Sequence, residues 1–490
     1  MHLVKYSMNK IQNLSFLCYC IQIKTITMNK YNNSYLIAIS MVSAMGGLLF
    51  GYDWVVIGGA KPFYERFFEI TSSANLQAWA MSSALIGCVA GAALSGVISD
   101  KFGRKWPLLL SAFLFTVASL GTGLASSYVT FVIFRIIGGV GIGLASALSP
   151  MYIAEVTPSR LRGRFVSLNQ MTIVIGILGA QIINLIIAEK VPIGATDEFI
   201  RASWNGQVGW RWMFFACAVP SAVFFALVFM LPESPRWLMK AGKPEKAFPT
   251  LYKIGGEVYA REEMAGIRAT LDDISEKVDF KALFNPKFRV VLLIGMVVAV
   301  FQQWCGINTV FNYAEEIFTA AGYGVSDTLF NIVITGTVNL VFTLVAMFTV
   351  DRWGRKKLMI LGSTGLAVTY LLLGSAFYFQ LKGVAVLSLV VIAIAIYAMS
   401  LAPITWVILS EIFPNRIRGA AMALATFALW IACFILTFTF PLLNAGLGAA
   451  GTFWVYAGIC LLGFIFISIK LPETKGKSLE EIENELTPNP

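Results

Sequence analysis

Twelve predominantly apolar runs, each long enough to cross a bilayer, set the strongest limit on what this chain can fold into. They fall at about 35–59, 78–99, 106–126, 129–151, 165–188, 211–231, 288–312, 328–350, 358–380, 384–410, 419–441 and 450–470. A membrane-spanning helix takes about 20 such residues, so twelve need roughly 240, and half of the 490 residues remain for loops, a linker and tails. Composition agrees: 13% of residues are charged, about half the share of a soluble protein. The 42 glycines and 12 tryptophans suit close helix crossings and membrane interfaces. A soluble enzyme is excluded, and the expected fold class is an all-α membrane protein.

The runs form two groups of six, separated by a polar stretch whose charges include Glu233, Lys243, Glu262, Asp272 and Glu276. Its periodicity predicts short amphipathic helices. The expected organisation is an N-terminal extension at 1–27, a six-helix bundle at 28–231, a cytoplasmic helical linker at 232–287, a second six-helix bundle at 288–471 and a tail at 472–490. MHLVKYSMNKIQNLSFLCYCIQIKTIT is too polar to span and lacks a small-residue cleavage site. Met28 is therefore read as the native start, against the alternative of an interfacial or signal segment.

Loop charges orient the chain, because short cytoplasmic loops concentrate Lys and Arg. The connections after spans 2, 4, 8 and 10 hold Lys101, Arg104 and Lys105; Arg160, Arg162 and Arg164; Arg352, Arg355, Lys356 and Lys357; and Arg416 and Arg418. The other side carries Lys61, Arg66, Lys190, Arg201, Arg211 and Lys382 along longer connections, with Glu315, Glu316 and Asp327 after span 7. Both termini and the linker are expected in the cytoplasm of a multi-pass protein of the cell's inner membrane. The net charge of +10 is then an orientation signal and not a nucleic-acid footprint.

An internal repeat joins the two groups. Asp100-Lys-Phe-Gly-Arg104-Lys recurs as Asp351-Arg-Trp-Gly-Arg355-Lys; Glu155-Val-Thr-Pro-Ser-Arg-Leu-Arg-Gly as Glu411-Ile-Phe-Pro-Asn-Arg-Ile-Arg-Gly; and Pro232-Glu233-Ser234 as Pro472-Glu473-Thr474. Three motifs in one order at nearly one offset mean a duplicated six-span unit. Such halves place a substrate at their interface near mid-membrane.

The chemistry available there is narrow. The single histidine, His2, leaves neither a His-rich metal site nor a histidine relay. The seven cysteines read as buried hydrophobes without framework spacing. No phosphate loop, nucleophile-base pair or cofactor motif is present, so an enzyme, a cofactor and ATP drive are not expected. Asp53 is the one carboxylate well inside a predicted span, and an intramembrane ionisable group is functional by default.

The chain resembles the sugar porter family of the major facilitator superfamily, the bacterial proton-coupled xylose symporters above all. The resemblance rests on Gly51-Tyr52-Asp53, the two D-x-x-G-R-K loops, Pro232-Glu233-Ser234-Pro235-Arg236-Trp237-Leu238, Gln302-Gln303 with Gly306-Ile307-Asn308, Glu411-Ile412-Phe413-Pro414 and Pro472-Glu473-Thr474-Lys475-Gly476. It implies two pseudo-symmetric six-helix bundles and inward transport of a neutral monosaccharide, pentose or hexose, with a proton by alternating access, by a monomer. Arg135 in span 4 is placed within reach of Asp53. Protonation of Asp53 would weaken that pair and free the helices to rearrange.

A polyol has no charge to grip, so it needs groups that both donate and accept, and an apolar face for its C–H side. The resemblance assigns sugar contact to Gln170, Gln302, Gln303, Asn308, Asn339 and Trp406, and Trp430 extends the aromatic wall. Isolated amides such as Gln181 and Asn184 are expected to be helix–helix hydrogen bonds instead. Gating is assigned to Asp100, Arg104, Glu155, Arg164, Asp351, Arg355 and Glu411, as an inner latch between the bundles. On the outer side it is assigned to Asn312 and Tyr313, with Gly306 and Pro403 as helix breaks. Gly87-x-x-x-Gly91 and Gly139-x-x-x-Gly143 read as packing seams.

Four positions depart from the xylose symporters. Cys217 stands in place of a second membrane carboxylate, Asn312 in place of a gating tyrosine, and Ile177 and Leu429 in place of glutamines. They leave open a hexose, another pentose or a cyclic polyol such as inositol, and a uniporter as the mechanistic rival. A sensor on the same fold is disfavoured by the 19 residues after Leu471.

Overall fold

A computed structural model describes residues 31–273, 286–414, 417–477 and 479–486. Residues 1–27, Met28 and Arg416 lie outside the described residues, as do the side chains of Asp351 and Arg352.

Span 1 is a single helix, Asn33–Phe67. It is followed by spans 2 to 6 at Ala74–Phe102, Lys105–Leu124, Tyr128–Val156, Arg162–Ile187 and Asn205–Val228. Spans 7 to 10 are Pro286–Asn312, Val325–Trp353, Arg355–Tyr378 and Val384–Ile412. A continuous run, Arg418–Lys470, turns at Gly448 (φ 67°, ψ 174°), where only glycine relaxes, and so makes spans 11 and 12. The linker folds as Pro235–Lys240 and Pro244–Asp273, the latter turning at Gly256.

Helix starts and breaks follow local chemistry. The side chains of Asn32, Ser73 and Ser127 accept the backbone N–H of Tyr35, Leu76 and Thr130, capping spans 1, 2 and 4. Span 7 breaks at Gly306 (φ +88°), and the Tyr456 ring lies about where a side chain would stand. Span 10 breaks at Ser400. Pro403 lacks an N–H and crowds the carbonyl four residues back, at Met399, so the break precedes the proline by one turn.

The halves meet along span 2 against span 11 and span 5 against span 8. Within the first half, the glycine pairs of spans 2 and 4 face one another, because a Cβ on Gly87, Gly91, Gly139 or Gly143 would strike the partner's backbone.

The largest departure from the sequence reading is the end of span 1. Hydropathy ends it near residue 59, yet the helix runs to Phe67 and carries Lys61, Glu65 and Arg66 as helix and not loop. At 1.5 Å per residue its 35 residues measure about 52 Å, well over the roughly 30 Å of hydrocarbon. Polar residues enter its last turns because opposite charges compensate them there.

Candidate transport site

Asp53 and Arg135 are both buried, 4% and 3% exposed. Arg135 Nη1 lies 2.9 Å from each carboxylate oxygen of Asp53, linking span 1 to span 4 inside the first half. Removing one partner of such a pair leaves an uncompensated buried charge, typically about 3–5 kcal/mol. Arg135 also helps line a small cavity with Trp54, Ile57, Met81, Cys88 and Asn312. Asn312 belongs to the second half, so the pair reaches the interface between halves. Cys217 is buried in span 6 and adds no carboxylate.

The amides of span 7 form one hydrogen-bonded chain. Gln302 Nε2 donates to the Tyr397 hydroxyl (2.6 Å), Gln303 Nε2 to Gln302 Oε1 (2.5 Å), and Asn308 Nδ2 to Gln303 Oε1. Gly306 makes this possible, because the break turns Asn308 back toward Gln303. Groups that satisfy one another in this way can exchange partners with hydroxyls at small cost. Tyr397 has no motif to announce it; its only sequence signal is a hydroxyl-bearing ring set among aliphatic neighbours in the most apolar span.

Trp430 is buried and packs with Phe50 and Trp54 of span 1, ring centroids 5.8 and 6.1 Å apart, an aromatic wall that crosses the halves. Gln170 is half-buried, Asn339 is buried and Trp406 is 38% exposed. None of these three joins the amide chain. Asn184 donates to the Val56 carbonyl at 3.0 Å, the expected helix–helix bond, whereas neither side-chain atom of Gln181 has a partner among the described residues. Tyr313 donates to the Thr437 carbonyl (2.6 Å) and stacks on Phe440 at 4.5 Å, docking the outer part of span 7 onto span 11.

On the inner face the sequence repeat becomes a repeated network. Arg104 grips Glu155 through two bonds (2.8 and 2.9 Å), and Ser234 donates to Glu155 at 2.5 Å. Glu233 accepts the backbone N–H of Arg104 at 2.8 Å. In the second half Arg355 pairs with Glu411 (3.1 Å), and Thr474 donates to Glu411 (2.5 Å). Glu473 accepts the N–H of Arg355 (2.9 Å) and of Lys356 (3.2 Å). Burial pushes the Glu473 carboxyl up, but the backbone donors of Lys475, Arg355, Lys356 and Thr474 outweigh it and hold it below its ordinary value.

Asp100 is half exposed, 4.0 Å from Arg104 and 3.0 Å from Lys240. Arg164 is exposed and makes no ion pair among the described residues. Among the described residues the ion pairs of these networks lie within single halves, where the expected latch would pair between them. The Arg104–Glu155 and Arg355–Glu411 pairs each stay inside one half and tie it to the segment that follows, because each D-x-x-G-R-K loop closes beside the other loop of its own bundle.

Two six-helix halves around a buried ion pair, an amide chain and a cross-half aromatic wall define a membrane transporter of the major facilitator class. Residues 39–486 match the Sugar (and other) transporter family, and the chain belongs to that family. It is 40% identical over 484 residues to the D-xylose-proton symporter of Escherichia coli K12, covering 93% of this chain and 96% of that one. The arabinose-proton symporter of Bacillus subtilis is also 40% identical, over 454 residues, with 92% and 95% covered. The inward-open structure of the E. coli xylose transporter superimposes with a TM-score of 0.80 at 38% identity, covering 92% of this chain and 100% of that one.

Proposed function

We propose that this transporter imports a neutral monosaccharide, a pentose or a hexose, together with a proton. The observation that carries the reading is the buried Asp53–Arg135 pair, which borders a cavity shared with Asn312 of the other half. Asp53 takes the proton, its bond to Arg135 weakens, and the halves at 28–231 and 288–471 become free to rock around the amide chain. Gln302, Gln303 and Asn308 exchange their mutual bonds for sugar hydroxyls, Gln170, Asn339 and Trp406 close on the sugar as the halves rearrange, and the Trp430 wall receives its apolar face. The similarity to symporters named for xylose and arabinose supports the substrate class.

The protein acts as a monomer in the inner membrane with both termini in the cytoplasm. The test is uptake into proteoliposomes with a panel of labelled sugars and inositol, with and without an imposed proton gradient. Gradient-dependent accumulation of a sugar upholds the reading. Equilibration that ignores the gradient would establish a uniporter, and accumulation of inositol alone would move the substrate class to cyclic polyols. The buried, apolar Ile177 and Leu429 favour the less polar end of that panel.

A further inference from the structure

On the outer side, Lys61 sits inside a cage of carboxylates drawn from both halves. It is 1% exposed, and its Nζ lies 3.0 Å from Glu65 Oε1, 2.5 Å from Glu316 Oε1 and 3.5 Å from Glu315 Oε2. Glu65 is one turn along on span 1. Glu315 and Glu316 belong to the short helix Ala314–Ala320, which continues span 7 in the other half.

The surroundings add little positive charge. Arg66 lies 3.9 Å from Glu315 but is engaged by Asp197 at 2.7 Å. Gln77 donates to Glu65 at 3.3 Å, the Tyr313 ring is 5.8 Å from the ammonium, and the buried Tyr64 hydroxyl has no hydrogen-bond partner among the described residues. Three carboxylates thus face two cations, one of them shared outward with a fourth acid. Such a cage holds only while Lys61 is inside it, and it joins residues 254 positions apart.

We propose that Lys61 is the gating residue of an outer latch, holding span 1 of the first half to the outer helix of span 7 in the second and thereby keeping the outer face closed. Opening that face separates Lys61 from Glu315 and Glu316 while Glu65, on the same helix, stays with it. Without the ammonium, three crowded carboxylates repel across the interface. Without the two carboxylates of the second half, Lys61 is satisfied by Glu65 alone and nothing ionic spans this contact.

The consequence for transport rests on the alternating-access reading, but the test needs no sugar, so the two can fail separately. Spin labels at Ser72→Cys and Lys382→Cys, both exposed on outer loops of opposite halves, report the width of the outer face. The background is Cys18→Ser/Cys20→Ser, the other five cysteines being buried. Lys61→Met, and independently Glu315→Gln/Glu316→Gln, should shift the distance distribution to longer values, while Lys61→Arg keeps it where it is. The near-isosteric glutamine variant decides the matter if Lys61→Met does not fold. An unchanged distribution in a folded Lys61→Met or double glutamine variant, or an equal shift in Lys61→Arg, overturns the latch.

Discussion

Span 1 carries two buried ionic sites eight residues apart, about 12 Å along the helix, and they are built on opposite plans. Asp53 meets one arginine from its own half, in a charge-balanced pair. Lys61 meets three carboxylates, two of them from the other half, in a cage with surplus negative charge. A balanced pair inside one half can change protonation without moving the halves, which suits coupling. An unbalanced cage across the halves is broken only by moving them, which suits a gate. The inner face supplies the third case: its repeated networks are ionic, yet the Arg104–Glu155 and Arg355–Glu411 pairs each hold one half to its own following segment, so among the described residues they stiffen single halves.

The sharpest way to break this contrast is Asp53→Asn. At 100 mV one coupled charge supports about fifty-fold accumulation, and the variant should lose nearly all of it while sugar counterflow persists. The variant frees the halves but leaves the Lys61 cage intact, so the outer spin-label distances should keep the parent's closed population. If Asp53→Asn instead opens the outer face, the two sites are one device and the comparison collapses.

Gln303→Ala should weaken sugar binding about ten-fold, or about 1.4 kcal/mol, by removing the middle of the chain from Tyr397 to Asn308. Binding measured by quenching of tryptophan fluorescence checks this. A change confined to the outer distances would place Gln303 with the gate. Asn184→Ala should be milder, about 0.6 kcal/mol of thermal stability with binding intact, the usual size of one interhelical side-chain bond in lipid.

The smallest effect belongs to the inner networks. Glu473 has its carboxyl held below the ordinary value of 4.5 by backbone donors, so its contribution to stability is full above that pH and is lost as pH falls through the depressed folded value. Glu473→Gln should therefore flatten the melting temperature against pH at the acid end while leaving the outer distances unchanged. A shift in those distances would mean that this network crosses to the outer gate after all.

Much of the fold was legible in the sequence. Twelve apolar runs, the duplicated motifs and the breaks at Gly306 and Pro403 are local patterns, and lipid enforces them because every backbone polar group must be satisfied within a span. The site was partly legible: Asp53 stood out as an acid among apolar neighbours, and Gln302, Gln303 and Asn308 as clustered amides. Arg164 carried the same motif signal as its neighbours yet projects outward, because a loop motif specifies residue types and not which of them turns inward.

What the sequence by itself determined, then, is the class of solvent, the twofold repeat and the polar residues that a span must account for, since each raises a cost that is felt residue by residue. Only the tertiary structure decided which polar groups meet. Lys61 reads as a loop cation until Glu315 and Glu316 arrive from more than 250 residues away, Gln302 as one of several clustered amides until it finds Tyr397, and Arg104 and Arg355 as parts of a bridge until their pairs with Glu155 and Glu411 are seen to lie within single halves. Charge compensation and hydrogen bonding depend on distance in space, and hydropathy carries no record of it.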